Sequence, residues 1–293
     1  MITFVTFHVD LDEKSVNNVK KSHGLFNDQH DYVAMIDCLF KSASIFNPDC
    51  KKVVLTNQQT DFSSLKSQAH LFRTNIDLSK VTPSKVRAQV EYIKSHNFDS
   101  NLIFIDSDII VNSNLDALFQ QDFDVALTYI DKENMPINAG VVLINKNSKE
   151  KAIEFLEKVD VLCRTKYSTE TWWGDQLALI DAVGTELFRQ RQSDTIYTEP
   201  EGIKVLLLPC DVYNFAPHPP DKVSSVASEL RNRKIIHFRG DRKRYMNLYW
   251  TTYLAHKEQP SLYHQFLSSR NKALLRVVSF YEKLTRKFVK QPS

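Results

Sequence analysis

The stretch Leu102-Ile103-Phe104-Ile105-Asp106-Ser107-Asp108 runs four apolar residues straight into a pair of aspartates. An unbroken apolar run of that length reads as a strand covered on both faces, as at the centre of an α/β sheet. Carboxylates do not belong inside such a sheet, so Asp106 and Asp108 emerge at its carboxyl edge, where open α/β sheets bind ligands. In extended chain, residues two apart point the same way. Two hard oxygen ligands on one side suit a divalent cation such as Mn²⁺ or Mg²⁺. The three-residue string alone carries little, because Asp10-Leu11-Asp12 and Asp122-Phe123-Asp124 repeat it. The apolar strand in front is what singles out Asp106 and Asp108.

Working outward, residues 2–7 read as a first buried strand and Asp31 to Ile45 as a helix that buries Val33, Ile36, Cys38, Leu39 and Phe40. Strands are predicted at 52–56 and 70–73. Thr82-Pro83 opens a helix that runs to about His96, with Thr82 as N-cap and Pro83 in the first turn. Further strands fall at 124–129 and 141–144, followed by a helix capped by Ser148 and a shorter one near 175–182. Short strands at 205–208 and 235–238 complete the set. Strands alternating with helices predict an α/β fold with a mostly parallel central sheet flanked by helices. Residues 8–30 are polar and weakly periodic, hence a long loop of the kind that more often serves as a lid or binding loop than as a spacer.

A chain of 293 residues can bury a large core as one domain with an appendage. Its 42% apolar and 25% charged content is ordinary for a soluble globular protein. The net charge of +3 is too small to imply nucleic acid, and no such partner is expected. From Arg270 onward there are seven Lys or Arg against one Glu, a local +6 that leaves the remainder at −3. The four cysteines form no C-x-x-C pair, and Cys38 and Cys163 sit in apolar helical patterns. Reduced, buried thiols and a cytoplasmic protein are expected. The opening Met1-Ile2-Thr3-Phe4-Val5-Thr6-Phe7 is too short and too uncharged for a signal peptide, and no apolar run approaches a membrane span.

After Tyr245 the chain reads as helical, and beyond Pro260 as an amphipathic basic segment. Leu267, Leu274, Val277, Val278, Tyr281, Leu284 and Phe288 share one face. That face suits a helix packed on the body, or a peripheral anchor to anionic lipid on the inner face of a membrane.

Four segments, in order, sharpen the aspartate signal. They are Ile103-Phe104-Ile105-Asp106-Ser107-Asp108-Ile109-Ile110-Val111, Ile137-Asn138-Ala139-Gly140-Val141-Val142-Leu143-Ile144-Asn145, Trp173-Gly174-Asp175-Gln176, and Ile235-Ile236-His237-Phe238-Arg239-Gly240-Asp241-Arg242-Lys243. Three of the six glycines, Gly140, Gly174 and Gly240, fall inside them. Together the segments resemble the GT-A-fold retaining glycosyltransferases of family 8, the group of bacterial lipopolysaccharide galactosyltransferases and glycogenin. The resemblance runs from the first strand to about Trp250. It implies a GT-A catalytic domain over 1–250 and a helical basic appendage over 251–293.

The resemblance also implies an activity. It is a metal-dependent transfer of a hexose from a nucleotide sugar, UDP-galactose or UDP-glucose, to a glycan acceptor, with retention, as in polysaccharide biosynthesis. A lipid-linked acceptor would suit the basic C-terminus. Asp106, Asp108 and His237 are the implied ligands of Mn²⁺ or Mg²⁺, with Ser107 counted among the donor-binding residues. The family's H-x-x-G-x-x-K pattern matches His237, Gly240 and Lys243, and Lys243 would add positive charge at the donor diphosphate. Asn138, Ala139 and Gly140 would meet the donor sugar, and Asp175 would bind its hydroxyls with Gln176 near the anomeric carbon. Thr6 and Tyr32 match residues that hold the base. Lys85 and Arg87 lie on the helix that carries a basic donor contact, and Arg87 is taken for that role.

Each residue also has a plainer reading: His237 as a satisfied core histidine, Asn138 as a turn residue, Asp175 as an ordinary helix N-terminus. Two departures stand out. About twenty residues are inserted between Thr6 and Tyr32, and Arg244-Tyr245 replaces the family's Pro-Trp after Lys243. Two rival functions are a sugar-nucleotide-binding module without turnover and a sugar-1-phosphate nucleotidyltransferase. The second usually carries a Gly-rich loop after the first strand, which Thr6-Phe7-His8-Val9 does not resemble.

Overall fold

A computed structural model of the chain describes residues 1–11, 31–132, 134–170, 173–184, 194–198 and 201–289. Residues 12–30, most of the expected long loop, lie outside the described residues. The first half runs β1 (Ile2–Phe7), α1 (Tyr32–Phe46), β2 (Lys51–Thr56), β3 (His70–Arg73), α2 (Val81–Ser95), β4 (Asn101–Ile105), β5 (Ile109–Val111), β6 (Val125–Tyr129) and β7 (Ile137–Ile144). Then come α3 (Lys149–Arg164), α4 (Gly174–Val183), β8 (Thr195–Thr198), β9 (Lys204–Pro209), α5 (Cys210–Tyr213) and β10 (Ile235–His237). The chain ends in α6 (Met246–Tyr249), a π turn (Trp250–Leu254), α7 (Ala255–Glu258) and α8 (Leu262–Val289).

Eight of these strands form one sheet in the order β3-β2-β1-β4-β7-β6-β9-β8. The pairs β3–β2, β2–β1, β1–β4 and β6–β9 are parallel, and only β7 and β8 run against the rest. The unbroken apolar run of β4 follows from its central place. Leu102 and Phe104 enter one core with α2, α3 and α4, while Ile103 and Ile105 enter the opposite core with Ile36, Leu39 and Phe40 of α1. Alternate residues of a strand point to opposite faces, so a strand with helices on both sides must be apolar throughout.

Helix starts follow local chemistry with two exceptions. Asp31 caps α1, its Oδ1 accepting from Ala34 N at 2.9 Å. The α2 helix begins at Val81, so Thr82 lies inside the first turn and Lys80 takes the cap position without a side-chain bond. Ser148 stands at the N-cap of α3 but makes no side-chain cap bond either. All four cysteines are free, and Cys38, Cys163 and Cys210 are buried.

After Ile105 the chain leaves the main sheet, turns through 106–108, and pairs β5 antiparallel with β10. Behind this small sheet lies a third core. It joins Ile110, Ile236 and Phe238 to Met246, Tyr249, Trp250, Tyr253, Leu254 and Leu275, with Met35 and Cys38 of α1. Residues on both sides of position 250 thus share one core. The α8 helix meets it through Ser268, Asn271 and Leu275, whereas Leu274, Val277, Val278, Tyr281 and Leu284 are exposed. Most of the apolar face that suited either packing on the body or a lipid anchor therefore points outward; Leu267 is half-buried, and the side chain of Phe288 lies outside the described residues. Among the described residues no helix is long and apolar enough to cross a membrane.

Candidate active site

The turn Asp106-Ser107-Asp108 sits at the carboxyl end of β4 and is pinned there by Asp106 N, which donates to Gly140 O at 2.9 Å. Pairing of β5 with β10 sets His237 opposite Ile109, the residue after Asp108. Phe238 N donates to Asp108 O at 2.8 Å and locks that register. As a result His237 Nε2 lies 3.1 Å from Asp108 Oδ1 and 3.8 Å from Asp106 Oδ2. Ligand atoms of the three residues all fall within 4.8 Å of one another.

The His237 ring is fixed from behind. Its Nδ1 is 2.8 Å from Asn214 Oδ1, a carbonyl oxygen that can only accept, so Nδ1 carries a proton and Nε2 faces the aspartates. Asn214 is itself held, because its Nδ2 donates to Thr128 Oγ1 and Asn138 Oδ1, both at 2.8 Å. Asn138 Oδ1 also accepts from Gly140 N at 3.0 Å. The β6–β7 register shifts at Leu127/Thr128, an irregularity of the kind that re-aims side chains near sites, and it brings Thr128 opposite Asn138. Such outer partners orient a metal-ligating histidine. A Cβ on Gly140 would stand 2.6 Å from His237 Cε1, so any side chain there would displace the ring. Two carboxylates and one imidazole nitrogen, with the ring already aimed, fit a divalent cation.

The charges are buried and paired. Burial alone would raise the Asp108 carboxyl, but His237 and Lys243 outweigh it and bring it down to about 2. Lys243 Nζ donates to Tyr32 Oη at 2.8 Å, lies 4.9 Å from the centre of that ring, and stands 4.0 Å from Asp108 Oδ2. Gly240, at φ 62°, supplies the left-handed turn that carries the chain from β10 to Lys243, and a Cβ there would meet nothing. On the other side of Asp106, Lys85 Nζ reaches Asp106 Oδ1 at 2.8 Å and Asp175 Oδ2 at 3.3 Å. Burial raises the Asp175 carboxyl above its ordinary range against the pull of Lys85. Burial works the opposite way on Lys85, yet Asp106 and Asp175 together raise its pKa. Asp175 lies in the first turn of α4, its Oδ1 accepting from Gln176 N at 2.9 Å, and both residues are buried.

The fold thus brings Asp106, Ser107, Asp108, Asn138, Ala139, Gly140, Asp175, Gln176, His237, Gly240 and Lys243 to the strand ends around one corner. Tyr32 joins them through Lys243, with His8 stacked on its ring at 5.3 Å between centroids. Thr6 is buried within β1, and its Oγ1 has no hydrogen-bond partner among the described residues. Arg87 is turned elsewhere. It is exposed and pairs with Glu91 at 3.2 Å, while Lys85, two residues earlier, occupies the side of α2 that faces the aspartates. Asn214 and Thr128 were not legible as site residues. The available signal for Asn214 was a polar residue between Tyr213 and Phe215, at the end of the short α5 that follows β9.

No family model and no curated protein matches this chain. Among solved structures, the apo form of the glycosyltransferase GlyE from Streptococcus pneumoniae TIGR4 superposes with a TM-score of 0.50 at 15% identity, over 94% of this chain and 63% of that one. The apo structure of WbbM, a bifunctional glycosyltransferase, superposes with a TM-score of 0.50 at 12% identity, over 92% of this chain and 51% of that one. The fold is of the GT-A glycosyltransferase type. This chain spans less than two thirds of either neighbour.

Proposed function

We propose that the chain is a metal-dependent glycosyltransferase, akin to family 8, that moves a hexose from UDP-galactose or UDP-glucose to a glycan acceptor. The observation that carries this reading is the convergence of Asp106, Asp108 and His237 on one point of the carboxyl edge of a sheet shared with glycosyltransferases. A bound Mn²⁺, or Mg²⁺, would supply Lewis-acid stabilisation of the departing nucleoside diphosphate. Lys243 would add fixed positive charge at the same diphosphate, and the Gly240 turn presents that lysine. Tyr32 and Thr6 mark the side from which the base would be held. Ser107, Asn138, Ala139 and Gly140 would line the donor side of the corner.

Asp175 would accept hydrogen bonds from donor sugar hydroxyls, positioned by Lys85, and Lys85 rather than Arg87 would be the basic donor contact of α2. Gln176 would lie nearest the anomeric carbon and stabilise its developing positive charge. Asp175 is tied to Lys85, which disfavours it as a covalent nucleophile, so a retaining transfer would go by front-face attack. In that step the acceptor oxygen bonds to the anomeric carbon, the bond to the diphosphate breaks, and a donor phosphate oxygen takes the acceptor proton. We place this activity in polysaccharide assembly in the cytoplasm. There it would act at the inner face of a membrane on a lipid-linked glycan, with residues 1–250 as catalytic unit and 251–293 as a helical basic appendage.

A panel of nucleotide sugars incubated with and without Mn²⁺ tests the reading. Cation-dependent hydrolysis or transfer with a UDP-hexose is expected, and product NMR should show retained anomeric configuration. Inverted product would make Asp175 a general base instead. Mn²⁺ binding without turnover of any donor would assign a sugar-nucleotide-binding module. Pyrophosphate release from UTP and a sugar-1-phosphate would assign a nucleotidyltransferase.

A further inference from the structure

The α8 helix is amphipathic in the unusual sense. The side that touches the body is the less apolar one. Ser268 Oγ donates to Thr252 O at 2.6 Å, Asn271 Nδ2 to Thr251 Oγ1 at 3.3 Å, and Leu275 is 3% exposed. Glu282 closes the contact by accepting from Val223 N at 3.1 Å and Ser224 N at 3.0 Å. Opposite this seam stand Leu262 at 86% exposure, Phe266 at 63%, Val277 at 67% and Phe280 at 65%, with Leu274 and Tyr281 beside them. Helical spacing puts these side chains on one stripe, and Leu262 to Tyr281 spans roughly 29 Å at ~1.5 Å per residue. By the same spacing Arg270 falls within this stripe, and soluble monomers rarely leave so many large apolar side chains exposed along one helix face.

The charge beside the stripe says what would cover it. Arg270, Arg276 and Lys283 are exposed on the same helix, whereas Glu282, the acid of α8, is turned into the body. The α8 helix of a second copy, laid against this one, would offer the same cations and no exposed acid of its own. An anionic lipid surface offers both an apolar boundary and the opposite charge. The helix cannot span a bilayer, so it would lie along the interface. It is also tied to the rim of the site. Glu282 holds Val223 and Ser224, and the preceding segment is held in turn by Arg242, whose Nε donates to Pro217 O at 2.5 Å, and by Arg244, at 3.5 Å from Pro220 O. Both arginines belong to the turn that carries Lys243.

We propose that α8 is a membrane-docking helix, its outward stripe seated in an anionic lipid interface and its exposed cations on the headgroups. The inference deepens the reading of an enzyme acting on a membrane-borne glycan, but lipid binding is read independently of turnover. The test uses the full chain and phosphatidylcholine vesicles with or without phosphatidylglycerol. The chain should sediment with the anionic vesicles and much less with the neutral ones, and added salt should weaken the binding. Replacing Phe266→Glu, Val277→Glu and Phe280→Glu together should lower binding at least about tenfold, with thermal unfolding and donor hydrolysis unchanged. The pair Arg276→Gln and Lys283→Gln should remove most of the preference for anionic lipid.

Failure of the unaltered chain to bind anionic vesicles overturns the proposal, as does triple-variant binding equal to that of the unaltered chain. A dimer in light scattering that the triple variant splits would instead assign the stripe to self-association. Loss of hydrolysis in every form of the protein, with lipid binding intact, would sink the enzymatic reading alone.

Discussion

The corner at the end of β4 and the outer face of α8 both invert the usual partition between core and surface. At the corner, Asp108, His237 and Lys243 are charged or polar and buried. Along α8, Leu262, Phe266, Val277 and Phe280 are apolar and exposed. The two inversions differ in where their compensation lies. The buried groups find partners within the chain, in one another and in Asn214 and Tyr32. The exposed stripe has no such cover among the described residues. A buried polar cluster that is already satisfied is set up to act on something small that enters it, whereas an uncovered stripe calls for a surface.

Substitutions separate the two regions. The largest effect should fall on Asp108→Asn, which keeps shape and removes a charge from the ligand set. Cation-dependent donor hydrolysis should drop by at least about a hundredfold, and wild-type rates would break the claim that the corner holds the cation. Next comes the contrast between the two faces of α8. Leu275→Ala should cost about 2–5 kcal/mol because it opens a cavity in the third core. Val277→Ala, one half-turn away and exposed, should change stability by less than about 0.5 kcal/mol. Denaturant unfolding of the two variants measures the difference, and equal losses would mean the helix is buried on both sides.

Asn214→Ala tests a residue that acts only through His237. Mn²⁺ affinity, read by EPR titration, should fall about 10- to 100-fold. Asn214→Asp keeps the accepting oxygen and should recover much of that affinity, which a purely structural role would not predict. The smallest effect concerns Glu282. Burial raises its carboxyl, but the Ser224 hydroxyl and the Ser224 and Val223 amides outweigh this and hold it below the ordinary range. A depressed folded-state pKa means that this attachment is fully present above the unfolded value and is lost as pH falls through the folded one. Hydrogen-exchange protection at Val223 and Ser224 should weaken on acidification, and Glu282→Gln should remove that dependence.

Much of the fold was readable because its signals are local. The apolar run before Asp106 and the helical periodicity of 31–45 and 149–164 each depend on neighbours a few residues away. The order of strands, with β7 reversed between β4 and β6, is not written in any such window. At the site, Asp106, Asp108, His237 and Lys243 were legible as a constellation, and pairing of β5 with β10 explains why residues so far apart in sequence meet. Gly140 is marked by its motif, but its reason, the His237 ring filling the space a Cβ would need, appears only in three dimensions. Lys85 and Arg87, two basic residues on one turn, cannot be ranked as the donor helix's cation until the rotation of α2 on the sheet is known. That rotation turns Lys85 inward.

Sequence alone was enough for most strands of the main sheet and the longer helices, though not for β5 or β8, and for the carboxylates that leave a buried strand at its end and the amphipathic, basic last helix. Periodicity and patterning are properties of consecutive residues, so they survive without the fold. Tertiary structure decided what each face meets. It placed Asn214 behind His237, Lys85 between Asp106 and Asp175, and the apolar side of α8 away from the body. An amphipathic pattern specifies that a helix has two sides, whereas packing against Thr252, Val223 and the third core chose which side stays outside.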